Sequence, residues 1–105
     1  MARVTQETAS AVQVEIPSPL RSYTRGQAEV GVAIPLLSPE SSPSVEAVLA
    51  ALDGAYPGIR HRMVDEQHRL RPHIKLFVGT AMVVDLKTHV PQGARLMIVA
   101  ALSGG

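Results

Sequence analysis

Apolar positions recur with two different periods along this chain. In residues 12–16, Val12, Val14 and Ile16 alternate with Gln13 and Glu15, the period of a half-buried strand with three β-branched residues turned inward. Pro17 and Pro19 close it. After a connection carrying Tyr23 and Gly26, residues 27–34 alternate again and set Ala28, Val30, Val32 and Ile34 on one face, so the two segments predict a hairpin. Residues 35–44 are rich in Ser and Pro, a loop by composition. From Ser44 the period lengthens: Val45, Val48, Leu49 and Leu52 follow the i, i+3, i+4, i+7 spacing of an amphipathic helix, with Ser42 or Ser44 as its N-cap and Pro57-Gly58 as its stop. Residues 59–63 predict a short turn and the polar residues 65–71 a surface loop. Residues 73–78 alternate once more, with Ile74, Leu76 and Val78 inward, and residues 82–84 predict a short extended piece. The turn Pro91-Gln92-Gly93 launches a last strand over residues 95–100, with Leu96, Ile98 and Ala100 inward.

The order strand, strand, helix, strand, short strand, strand predicts an α+β domain of two layers. One helix covers one face of such a sheet and leaves the other to solvent. The length of 105 residues and an apolar fraction of 46% allow a single small core. Absence of cysteine removes disulfides, a thiolate nucleophile and thiolate-bound metal. A net charge of +1 gives no strong global field for nucleic acid or an anionic membrane. The charge is uneven: residues 1–54 hold three basic and six acidic side chains, residues 55–105 seven and three. The opening residues 1–11 have neither the apolar run of a secretory signal nor an Arg-rich amphipathic pattern, and they read as a flexible leader. The longest apolar run, residues 96–102, is far below the roughly 20 residues of a membrane helix. These features predict a soluble, cytoplasmic protein.

Chemistry concentrates after the last strand, in Leu102-Ser103-Gly104-Gly105. Four residues span about 13 Å when extended, enough to enter another protein's active site. Two glycines make the segment thin and open backbone angles closed to other residues. The same residues also suit a plain glycine-rich end. As a reactive group, the Gly105 α-carboxylate is a poor electrophile until it attacks the α-phosphorus of ATP and becomes an acyl adenylate, which a sulfur or amine nucleophile then displaces.

Three segments together, VEIPSPLRSYTRGQAEV (residues 14–30), SVEAVLAALDGAYPGIRHRMVDEQHRLRPHIKLFV (44–78) and PQGARLMIVAALSGG (91–105), resemble the MoaD/ThiS family of ubiquitin-like β-grasp sulfur carriers, most closely its longer CysO-type, MoaD-like members. The terminal diglycine behind a strand is the specific motif. Two departures stand out: Gly79-Thr80-Ala81 replaces the family's Asn-Gly or Asn-Asp turn after the third strand, and Ala100 replaces a common Pro. The resemblance implies a ubiquitin-like β-grasp with a mixed four- to five-stranded sheet on one main helix, a domain over residues 12–101 and a flexible tail over 102–105. It implies adenylation of Gly105 by a MoeB/ThiF-type adenylyltransferase and sulfur from a cysteine desulfurase or rhodanese-like donor. The resulting Gly105 thiocarboxylate would pass its sulfur to an acceptor enzyme, with Leu102, Ser103 and Gly104 threading the partner's active site. On this reading the chain is a protein cosubstrate, monomeric when free, without catalytic residues or a bound cofactor.

In a β-grasp sheet the third and last strands are neighbours. Phe77, Met97 and Val99, with Lys75 and Arg95, would then form an outward docking surface leading to the tail. Arg60, Arg62, Arg69, Arg71 and Lys75 suit either steering toward acidic partners or a solvated rim. Met63, Met82 and Met97 read as packing residues. His61, His68, His73 and His89 show no metal-ligand spacing, Ser103 has no predictable base, and no phosphate-binding glycine motif occurs, so ATP belongs to the partner. Two other functions stay open. One is a modifier joined to lysines through Gly105, and the other is the small subunit of a molybdopterin synthase.

Overall fold

The computed structural model describes residues 9–36, 38 and 41–101. Five strands and one helix follow in the order β1 (Ala9–Glu15), β2 (Glu29–Pro35), α1 (Val45–Ala55), β3 (Ile74–Val78), β4 (Ala81–Met82) and β5 (Arg95–Ala100). Single 3-10 turns lie at Ser18–Leu20 and Arg60–Arg62. The strand order across the sheet is β2-β1-β5-β3-β4. β1 and β2 form the antiparallel hairpin that their alternation predicts, with Val14 opposite Val30. β5 lies in the centre, parallel to β1 and antiparallel to β3. A parallel pair needs a crossover between its strands, and α1 lies in the long connection that supplies it.

The helix forms where its cap and its apolar stripe coincide. Ser44 accepts a hydrogen bond from the Ala47 amide at 3.1 Å, while the other cap candidate, Ser42, bonds His89 Nδ1 at 3.0 Å. Two first-turn amides without helical partners donate elsewhere: Val45 to the Thr88 carbonyl at 2.8 Å and Glu46 to the Leu86 carbonyl at 2.9 Å. At the other end, Asp53 Oδ1 accepts from the Gly58 and Arg60 amides, at 3.0 and 3.1 Å, and so ties the helix to the turn that stops it.

Val45, Val48, Leu49 and Leu52 of α1 pack against Val12 and Val14 of β1, Val30, Val32 and Ile34 of β2, Ile74 and Leu76 of β3, and Leu96 and Ile98 of β5 in one buried cluster. Each inward position named from alternation is buried or packed against this cluster except Ala28, which is exposed. Ala28 precedes the β1–β2 ladder in a bend, and a bend ends the two-residue period that would turn its side chain inward. Three further expectations are corrected. β1 begins at Ala9, so the strand takes in three residues assigned to the leader. The short extended piece is the edge strand β4, two residues long, with Val83 buried and Val84 exposed after it. Met82 is not a packing residue: it is 53% exposed on that edge.

Ile16, Leu20, Ile59, Met63, Val64, Val83 and Val90 add to the core from the connections between these elements. Gly79, with φ 62, takes the left-handed conformation needed in the tight β3–β4 turn. This is the position where the sequence departs from the Asn-containing turn of the family it resembles. Among the described residues no helix is long and apolar enough to cross a membrane.

Candidate functional site

Because α1 covers one face, the alternate residues of β3 and β5 stand on the other. Leu96 and Ile98 are buried beneath the helix, so Arg95, Met97 and Val99 between them point away from it. The ladder places Phe77 opposite Met97 and Lys75 opposite Val99. The expected docking residues are therefore brought together on one open face. Phe77 and Met97 are half-buried, Val99 is 37% exposed, and Lys75 and Arg95 are exposed.

The register extends this patch in both directions. Phe77 also pairs with Met82 on β4, while Met97 is aligned with Glu15 on β1, and Glu15 with Glu29 on β2. A single row across five strands thus reads Glu29, Glu15, Met97, Phe77, Met82: two carboxylates at one end and three large flexible or aromatic side chains at the other. Sequence reasoning left Met82 out of the patch. Its signal is weak, since a two-residue strand has no period, and its place is set by the Gly79 turn.

Arg95 has a different role from Lys75. Its Nη1 donates to Glu29 Oε2 at 2.8 Å and lies 3.5 Å from Glu15 Oε2. The hydrogen bond to Glu29, with the charges of Glu29 and Glu15, holds the Arg95 pKa above its ordinary value. Two like charges facing each other across β1 and β2 would repel, and Arg95 bridges them. Arg95 therefore borders the patch as a compensated charge. Lys75 has no ion pair among the described residues.

β5 carries the chain off the sheet beside this face. Ala101 is the last described residue, and its amide donates to the His73 carbonyl at 2.8 Å, so the β3–β5 pairing holds the chain up to the point where the proposed tail starts. Leu102, Ser103, Gly104 and Gly105 lie outside the described residues. Among the described residues no group of three or more His, Asp or Glu side chains could hold a metal ion.

One helix laid on a mixed five-stranded sheet of this order is a ubiquitin-like β-grasp fold. Among solved structures the chain is similar to Mycobacterium tuberculosis CysO, at 28% identity and a TM-score of 0.73, over 87% of this chain and 99% of that one. It is similar at 28% identity and a TM-score of 0.74 to a chain of the Amycolatopsis orientalis BexX/CysO complex, over 90% of this chain and 99% of that one. SAMP1 from Haloferax volcanii shares the fold at 22% identity and a TM-score of 0.72, over 91% of this chain and all of that one. No protein-family model and no curated protein sequence matches the chain. The structural likeness agrees with the sequence resemblance to MoaD/ThiS-type ubiquitin-like carriers of the CysO type.

Proposed function

We propose that this chain is a sulfur carrier whose reactive group is the α-carboxylate of Gly105. The observation that supports this most is the position of β5. It is paired with β1 through Met97 and with β3 through Ala100, so the chain is held to the sheet up to the start of the tail, beside an apolar face. That geometry suits a partner that docks on Phe77, Met97, Val99 and Met82 and takes the tail into its own active site, which fixes the reacting carboxylate in place. The chemistry is then the partner's. A MoeB/ThiF-type enzyme adenylates the carboxylate: one carboxylate oxygen attacks the α-phosphorus of ATP and pyrophosphate leaves. With sulfide as nucleophile, attack at the acyl carbon expels AMP and leaves a Gly105 thiocarboxylate.

In the cell the sulfur would come from a cysteine desulfurase or rhodanese-like protein. The product would serve an acceptor enzyme, as the BexX/CysO complex suggests for a related chain. On this reading the chain is a cosubstrate with no catalytic group of its own and is cytoplasmic. The fold is shared with a small archaeal modifier protein, which keeps lysine conjugation through the same activated carboxylate as the alternative.

Intact-mass measurement after incubation with the activating enzyme, ATP and sulfide tests the reading. A gain equal to replacement of one oxygen by sulfur at Gly105 is expected. An unchanged mass, accompanied by ladders on lysine-containing proteins, would replace the carrier by the modifier. Deleting Gly105 abolishes the mass gain and leaves the unfolding midpoint unchanged; a fall in the midpoint would make the residue structural.

A further inference from the structure

The turn after β1 and the connection between α1 and β3 meet beside the end of β5 and enclose an open cleft of about 680 Å³. Buried Leu20 and Ile74 lie among its lining residues, with Ala100 and Ala101 where the chain leaves the sheet. Arg62, Arg71, His61 and His73 also line it, with Pro19, Ser22 and Tyr23, and among the described residues no carboxylate does.

Both guanidinium groups are held in place through Nε. Arg62 Nε donates to the Tyr23 hydroxyl at 2.6 Å, and its guanidinium carbon lies 5.8 Å from the centre of the Tyr23 ring. Arg71 Nε donates to the His61 carbonyl at 2.8 Å, with Nη2 3.4 Å from His61 Nε2. Among the described residues this leaves both terminal nitrogens of Arg62 and Nη1 of Arg71 without a hydrogen-bond partner, and neither arginine has an ion pair. Tyr23 is itself seated: a Cβ on Gly58 would come within 3.3 Å of its ring. A cation restrained before binding loses less freedom on meeting a carboxylate, and arginine presents paired donors that match one.

We propose that this cleft receives carboxylate side chains from an acidic segment of the enzyme that acts on the tail. The identity of that enzyme rests on the sulfur-carrier reading; recognition of an acidic segment does not. Three features favour this occupant. The two arginines supply two separate positive charges, more than one carboxylate at Gly105 would balance. The cleft adjoins Ala101, the last described residue before the tail. The chain's small net charge gives no wider basic field of the sort that collects polyanions.

The test is a titration of the full chain with a hexaglutamate peptide, followed by backbone-amide NMR. Amides of Tyr23, His61, Arg62, Arg71, His73 and Ala101 shift together, less so as salt is raised. The response falls about tenfold in Arg62→Gln/Arg71→Gln and is retained in Lys87→Gln. Should the double variant lose its native spectrum, Arg71→Gln and Tyr23→Phe decide, each with a response lowered about threefold. Shifts scattered elsewhere, or none, overturn the inference. So does an equal response to inorganic phosphate, which would mark a site for free anions, or movement of the same amides on removing residues 102–105 without peptide, which would make the tail the occupant. If the chain is activated and the double variant keeps its KM for the activating enzyme, a role toward that enzyme is overturned while the carrier reading stands. If the chain is never activated, the carrier reading falls and the peptide titration still decides the cleft.

Discussion

Asp65 shows how a single carboxylate organises a stretch of chain with few apolar residues. Its Oδ1 accepts from the Gln67 amide at 2.9 Å and the Arg69 amide at 3.0 Å, closing a tight turn in which His68 has φ 62. The hydrogen bond from the Arg69 amide, joined by that from Gln67 and by the charges of Arg69 and Arg71, holds the Asp65 pKa below its ordinary value. A depressed folded-state pKa contributes stability that is present above the unfolded value of about 3.9 and is lost as pH falls through the folded one. The difference in unfolding midpoint between the wild type and Asp65→Ala should therefore be constant from pH 7 to 5 and narrow below pH 4. A difference that widens in acid would contradict this. The sequence marks Asp65 only as part of a polar loop and of a segment that resembles a family's. Its hydrogen bonds give that segment a physical reason. Tyr23 and Gly58 are a second case. Tyr23 lies in the connection after β1 and Gly58 in the turn after α1, and their contact appears only once the chain is folded, because they stand 35 positions apart in the sequence.

At the level of elements, α1 was legible nearly in full, since its four-residue stripe, its cap and its Pro-Gly stop all act locally. Ser44→Ala should cost about 1 kcal/mol, read as a lowered denaturant midpoint with an unchanged slope. The same substitution at Ser42 should cost less, because Ser42 bonds His89 and caps no helix. The strands were legible in their interiors and less so at their ends. β2 shows alternation throughout and β1 from Val12 onward, whereas the start of β1 and the bend at Ala28 are set by pairing with a partner strand. β4 is the extreme case. Two residues long, it exists because Gly79 turns the chain back so that Val78 faces Ala81 and Phe77 faces Met82.

For the whole molecule, the decisive property is which face of the sheet the helix covers. Leu76 and Phe77 are adjacent in β3, yet Leu76 is fully buried under α1 and Phe77 is half-buried on the open face. Leu76→Asp should unfold the domain, since it buries an unpaired carboxylate. Phe77→Asp should leave a cooperative unfolding transition and, on the proposed function, weaken binding of the activating enzyme about tenfold or more, measured as a rise in its KM. Unfolding by the second substitution and tolerance of the first would mean that the two faces are exchanged. The chain's own pattern settled the class of fold, the helix and the parity of each long strand, because period, caps and turn residues act over a few positions. The tertiary structure alone put β1 along the other edge of β5, aligned Glu29, Glu15, Met97, Phe77 and Met82 in one row, tied Arg95 to two carboxylates, and set Arg62 and Arg71 beside the end of β5. Those relations join residues far apart in the chain, and such contacts are selected by packing and register, which no local period records.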